Sequence, residues 1–252
     1  MLARFLLFNI LITSSFASAK IASFDLCADQ WLMAFAQPDQ VAFLTPLSKD
    51  PNLSYHHEKA KNYAIDTPSV ETLLTGNIDM VLATSPLNPS IKKILEKKGI
   101  RVIIIPTLTN LDQLIEWTQK IKNITGSNSE IILKLQDLRH INAEAKKALY
   151  IGTAGSSPGQ KTLVNEAFYW AGFENIKGYE GWGYKDIETI LVQNPHYIFT
   201  AGTLPKNRVS INNHLYGKQT QAVVIPVSQR YTICACPDAF IDLIKVFKNA
   251  KK

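Results

Sequence analysis

The chain has 252 residues, 46% of them hydrophobic and only 19% charged, with 27 Lys and Arg against 21 Asp and Glu for a formal net charge of +6. That composition excludes a disordered tail, a collagen-like fibre and a multi-pass membrane protein. The length suits one large domain or two lobes of about 100 residues each, with enough core to fold without a disulfide framework.

Residues 1–19 read as a secretory signal peptide. Met1 to Arg4 is a short positive segment, Phe5 to Ile12 (FLLFNILI) is apolar, and Ala17-Ser18-Ala19 offers a small-x-small cleavage site. The apolar run is shorter than the roughly 18 residues a membrane span needs. No Cys follows the cleavage site directly, so export without a lipid anchor is expected. The basic residues, among them Lys92, Lys93, Lys97 and Lys98, are scattered rather than interleaved with aromatics. That spacing suits solvated helix faces and does not suit nucleic acid.

After the leader the pattern alternates. A strand is expected at Ile21–Phe24, a helix over Trp31–Ala36, a polar stretch at Ser48–Asp66, a helix from Ser69, a strand at Met80–Thr84 and a helix over Ser90–Lys98. An apolar strand at Val102–Ile105 is closed by Pro106, and Leu111–Ile121 again reads as a helix. Strands and helices alternating at this spacing place the chain in the α/β class with mainly parallel sheets. Asn128–Lys147 contains no Gly or Pro and carries apolar residues at helical spacing. A helix of that length spans roughly 30 Å, enough for a rigid connector between an N-terminal lobe (20–125) and a C-terminal lobe (148–252), the connector taking 126–147. The second half restarts with a strand at Ala148–Thr153, a Gly-rich turn at Gly155–Gly159 and a helix near Lys161–Ala171.

The two halves repeat one another. Ser69-Val70-Glu71-Thr72-Leu73-Leu74 and Asp186-Ile187-Glu188-Thr189-Ile190-Leu191 match at an offset of 117 residues, and the register continues through Asn77 and Asn194 into Met80-Val81-Leu82 and Tyr197-Ile198-Phe199. Each copy supplies a helix N-cap and a Glu in the first turn, where an acid meets the positive end of the helix dipole. A pair of such acids on a pseudo-symmetric frame is also a matched pair of docking points.

Cys27, Cys234 and Cys236 all lie in the exported part, where disulfides persist. Cys-Ala-Cys is too short to bridge itself easily, so Cys27 pairs with Cys234 or Cys236. His56 and His57, with His140, His196 and His214, raise a second possibility, a bare transition-metal site. Adjacent histidines on an extended segment face opposite ways, so one of the pair at most joins a given site. A third possibility is a serine hydrolase: Gly155-Ser156-Ser157-Pro158-Gly159 fits a G-x-S-x-G turn with Ser157 as nucleophile, followed by Asp186 and by His196 or His214.

The stretches IASFDLCADQWLMAFA, LSKDPNLSYHHEKA, SVETLLTGNIDMVLATS, GIRVIIIPT, GQKTLVNEAFYWAGFENI and GWGYKDIETILVQNPHYIFT cover most of the mature chain. Together they resemble the class III, helical-backbone periplasmic substrate-binding proteins of ABC importers, which capture cobalamin, ferric siderophores and haem. The resemblance implies a periplasmic, monomeric, non-catalytic protein of two lobes with a largely pre-formed cleft between them. It also implies delivery of a metal chelate or corrinoid to a membrane permease dimer driven by separate ATPase subunits. Glu71 and Glu188 stand where the family meets its permease, and the Cys before the late Pro favours Cys27 with Cys234. The loops at the strand ends supply the expected ligand contacts: Trp182 and Tyr184 first, then Tyr55, Ser85 and Tyr231, with Arg230 for an anionic oxygen and His56 for a chelated metal. No resident cofactor or bare metal is expected.

Overall fold

A computed structural model of the chain describes residues 19–138, 145–152, 155–176, 179–184, 190, 192–202 and 221–251. The expected leader therefore lies almost wholly outside the described residues, as do His140, His214, Asp186 and Glu188. Among the described residues no helix is long and apolar enough to cross a membrane.

In the first half β1 (Ile21–Ser23), β2 (Val41–Phe43), β3 (Met80–Ala83) and β4 (Arg101–Ile104) form a parallel sheet in the order β2-β1-β3-β4. In the second half β5 (Lys146–Ile151), β7 (Phe173–Asn175), β9 (Tyr197–Ala201) and β10 (Val223–Val227) form another, in the order β7-β5-β9-β10. Taken in chain order these are the same sheet built twice, giving two lobes. A short antiparallel ribbon, β6 (Ser156–Pro158) with β8 (Trp182–Tyr184), is added at the end of β5. The central strands are buried, β3 and β9 along their whole length and β5 from Ala148 to Ile151, as sheets covered on both faces require.

Five of the described helices start on side-chain caps. Asp25 caps α1 (Leu26–Phe35), Ser69 caps α2 (Val70–Thr75), Asn88 caps α3 (Pro89–Lys97), Asn110 caps α4 (Leu111–Thr125) and Thr162 caps α6 (Leu163–Trp170). Gly126, at φ 68°, ends α4, and a short helix α5 (Ile131–Asp137) follows. The helix expected over Asn128–Lys147 is thus described only at Ile131–Asp137, and Lys146 and Lys147 already belong to β5. Hydrogen bonds to β7 and the pull of the buried Ala148–Ile151 run outweigh the helix propensity of those lysines.

The last helix, α7 (Pro237–Asn249), ties the lobes together. It packs on α4, α5 and α6, so it touches elements of both halves. One buried apolar cluster consequently runs from Ile21, Trp31 and Leu114 through Phe240, Leu243 and Phe247 to Phe168, Phe199 and Tyr150. The Cys27–Cys234 disulfide adds a covalent link between the start of α1 and the segment before α7.

Candidate functional site

The strand ends of the two lobes meet around a recess of about 250 Å³. Thr84 follows β3, Ile105 to Leu108 follow β4, Lys161 to Val164 follow β6, and Tyr231 to Ala235 lie between β10 and α7. This is where open α/β sheets place ligands, beyond the carboxyl ends of their strands. A second recess of about 260 Å³, at the ends of β5 and β9, shares Trp182, Thr232 and Ile233 with the first.

Trp182 borders both. It is 50% exposed, with its ring edge-on to Tyr150 at 6.2 Å between centroids. The β6–β8 ribbon fixes its position, pairing Pro158 with Trp182 and Ser156 with Tyr184. Beneath the ribbon, Tyr179 donates its hydroxyl to the Ser157 carbonyl at 2.8 Å. A Cβ on Gly159 would fall 2.1 Å from the Tyr179 carbonyl, so only glycine permits that approach. Tyr184, two residues along the same strand, points the same way and is 72% exposed.

Of the other residues expected at the site, Tyr231 lines the first recess. The Arg230 guanidinium lies over its ring at 5.3 Å. Ser85 is exposed beside Thr84, its amide held at 3.0 Å by the Asp25 carboxylate. That same carboxylate takes the Thr84 amide and hydroxyl, each at 2.7 Å, and the Ala28 amide at 2.9 Å. Asp25 therefore fixes the loop after β3 beside the recess, a role that no local pattern around it signals.

Tyr55 and His56 are not on the lining of either recess. Tyr55 donates to Asp242 of α7 at 2.6 Å and sets its ring 5.7 Å from that of Tyr231. Burial, with the Asp242 bond and charge added, pushes the Tyr55 phenol well above its ordinary range. The buried His56 ring lies 3.2 Å from Asp238, and its backbone N–H donates to Gln30 at 2.9 Å. Burial at Asp238 opposes ionisation, but His56, Lys59 and Lys134 together hold its carboxyl below the usual range. These residues clasp the N-terminal half to α7 and brace the Tyr231 wall from behind.

Cys27 is joined to Cys234, which lines the first recess, while Cys236 is a buried free thiol pushed by burial up to about 12. Glu71 stands exposed in the first turn of α2; Glu188 is outside the described residues. Ser157 sits inside β6, buried, and not on a strand-to-helix turn. His196 Nδ1 accepts the Lys147 amide at 3.2 Å. The hydrolase constellation is therefore not assembled among the described residues, because the Gly-Ser turn extends into a ribbon strand instead of an elbow. No group of three or more potential metal ligands occurs among the described residues.

Residues 21–221 match the family model of the periplasmic binding proteins. The chain belongs to that family. No curated protein matches the chain. The fold of this binding protein is also that of the periplasmic haem-binding protein HutB of Vibrio cholerae, with a TM-score of 0.76 at 13% identity over 93% of this chain and 99% of the other. The vitamin B12-binding protein BtuF of Vibrio cholerae aligns with a TM-score of 0.66 at 19% identity, over 94% and 99% of the two chains. A periplasmic haem-binding protein of Pseudomonas aeruginosa gives 0.66 at 16% identity over 92% and 93%.

The sequence missed α7 as the element joining the lobes, although Pro237 at its first position and apolar Ala239, Phe240, Leu243, Ile244 and Phe247 were a readable signal. It also missed the Ile105–Leu108 wall, where Pro106 and Thr107 carry no periodic pattern.

Proposed function

We propose that this protein is the substrate-binding component of an ABC importer, holding a rigid metal chelate such as a corrinoid, a ferric siderophore or haem in the cleft between its lobes. The observation that carries this is the half-exposed Trp182 ring bordering two adjoining recesses at the converging strand ends. A large flat or macrocyclic ligand gains wide contact from such a wall while few rotors are frozen. The family membership and the haem and vitamin B12 bound by HutB and BtuF point the same way.

In this reading Trp182 and Tyr231 contact the ligand, with Tyr184 at the mouth. Ser85 stands on the rim, Arg230 braces Tyr231, and Tyr55 and His56 support that wall from α7. Glu71 and Glu188 dock on a permease dimer, and residues 1–19 are removed on export to the periplasm. The lobes are 20–125 and 148–252. Absorption spectroscopy and mass spectrometry on protein purified from its native host test the reading, since corrinoids, haem and ferric chelates have different chromophores. A co-purified chelate at near one equivalent is expected; a co-purified peptide, sugar or amino acid in the cleft would refute it.

A further inference from the structure

The two recesses beside Trp182 differ in what they offer. The first is largely apolar, with Trp31, Ile105, Leu108 and Phe240 on its walls. The second is lined by Tyr150, Gly152, Ser156, Gln229 and Thr232 together with Trp182, Ala201 and Ile233, and none of these carries a charge. The Tyr150 hydroxyl and the Thr232 hydroxyl bond each other at 2.8 Å. The Ser156 hydroxyl and the Gln229 side-chain amide have no partner among the described residues. Gly152 makes room for this edge: a Cβ there would meet the Ser156 hydroxyl at 2.8 Å.

Among the described residues no cation lines the second recess: Lys161 borders the other recess and is paired with Glu180 at 2.7 Å, and Arg230, laid over Tyr231, lines neither. An anion placed against Ser156 and Gln229 would lose water and gain no counter-charge from the described lining, and the carbonyl end of Gln229 would face it unfavourably. An amide or hydroxyl can both donate to and accept from every group on that edge.

We propose that the second recess is a subsite for an uncharged, hydrogen-bonding arm of the cargo, amide or hydroxyl, whose ring system lies across Trp182 in the first. This rests on the cleft being the cargo site. It makes the protein select chelates with amide or hydroxamate peripheries over those bearing carboxylates.

Calorimetric titration of the full-length mature protein with cyanocobalamin, ferrichrome and haem tests it, each at low and high sodium chloride. Cyanocobalamin or ferrichrome is expected to bind at least tenfold tighter than haem. That affinity should change less than threefold with salt and fall at least tenfold in Gln229→Ala. A preference for haem, a steep salt dependence, or wild-type affinity in both Gln229→Ala and Ser156→Ala would overturn the subsite while leaving the carrier role standing. Absence of binding by all three chelates would overturn the subsite, while the carrier role is decided separately by the co-purified chelate.

Discussion

Asp29 shows how much a single side chain can carry. It is fully buried, takes the Thr45 amide at 2.9 Å and hydroxyl at 2.6 Å, and yet burial raises its carboxyl from 3.8 to about 6. A carboxyl whose folded value is raised stabilises the fold below its unfolded value and loses that contribution as pH climbs through the folded one. Denaturant titrations should therefore show stability falling between about pH 4 and pH 6 by roughly 3 kcal/mol relative to Asp29→Asn. A pH-independent difference between the two proteins would contradict this. Tyr55 makes a second residue-scale test. Tyr55→Phe removes the bond to Asp242, so urea unfolding should register a loss of about 1–3 kcal/mol. Sequence placed Tyr55 and His56 in a polar loop but could not show that α7, almost 190 residues away, supplies Asp238 and Asp242 to hold them.

Among the elements, α7 joins what the sheets leave separate. Its Phe247 ring lies 4.5 Å from both Phe168 and Phe199, inside the second lobe's ring cluster, while Leu243 reaches the first recess. Phe247→Ala should cost about 3–5 kcal/mol in denaturant unfolding, as large-to-small changes at fully buried rings do. The strand and helix sites in the first lobe were legible because caps such as Ser69 and Asn110 and buried runs such as Met80–Ala83 are local signals. Short strands such as β2 and β7, with three residues each, were not, since pairing with a neighbour and not local propensity creates them. The same reason shortened the expected connector, where β5 claims Lys146 and Lys147.

Over the whole molecule the duplication is physical. Asn77 and Asn194, matched by the 117-residue offset in sequence, both adopt left-handed backbone at φ 49° and 43°, and both precede the strand at the centre of the repeat, β3 and β9. Two lobes built alike are pinned together by α7 and the Cys27–Cys234 bridge. Reversing Glu71 and Glu188 to Lys should abolish uptake in cells while ligand affinity in solution stays unchanged; intact uptake would remove their docking role. The most direct test of the cleft itself is fluorescence titration of the wild type and Trp182→Ala with the co-purified chelate, alongside their melting temperatures. Affinity at least tenfold weaker in Trp182→Ala, about 1.4 kcal/mol, with an unchanged melting temperature is expected. Wild-type affinity in that variant would place the cargo somewhere other than between the lobes.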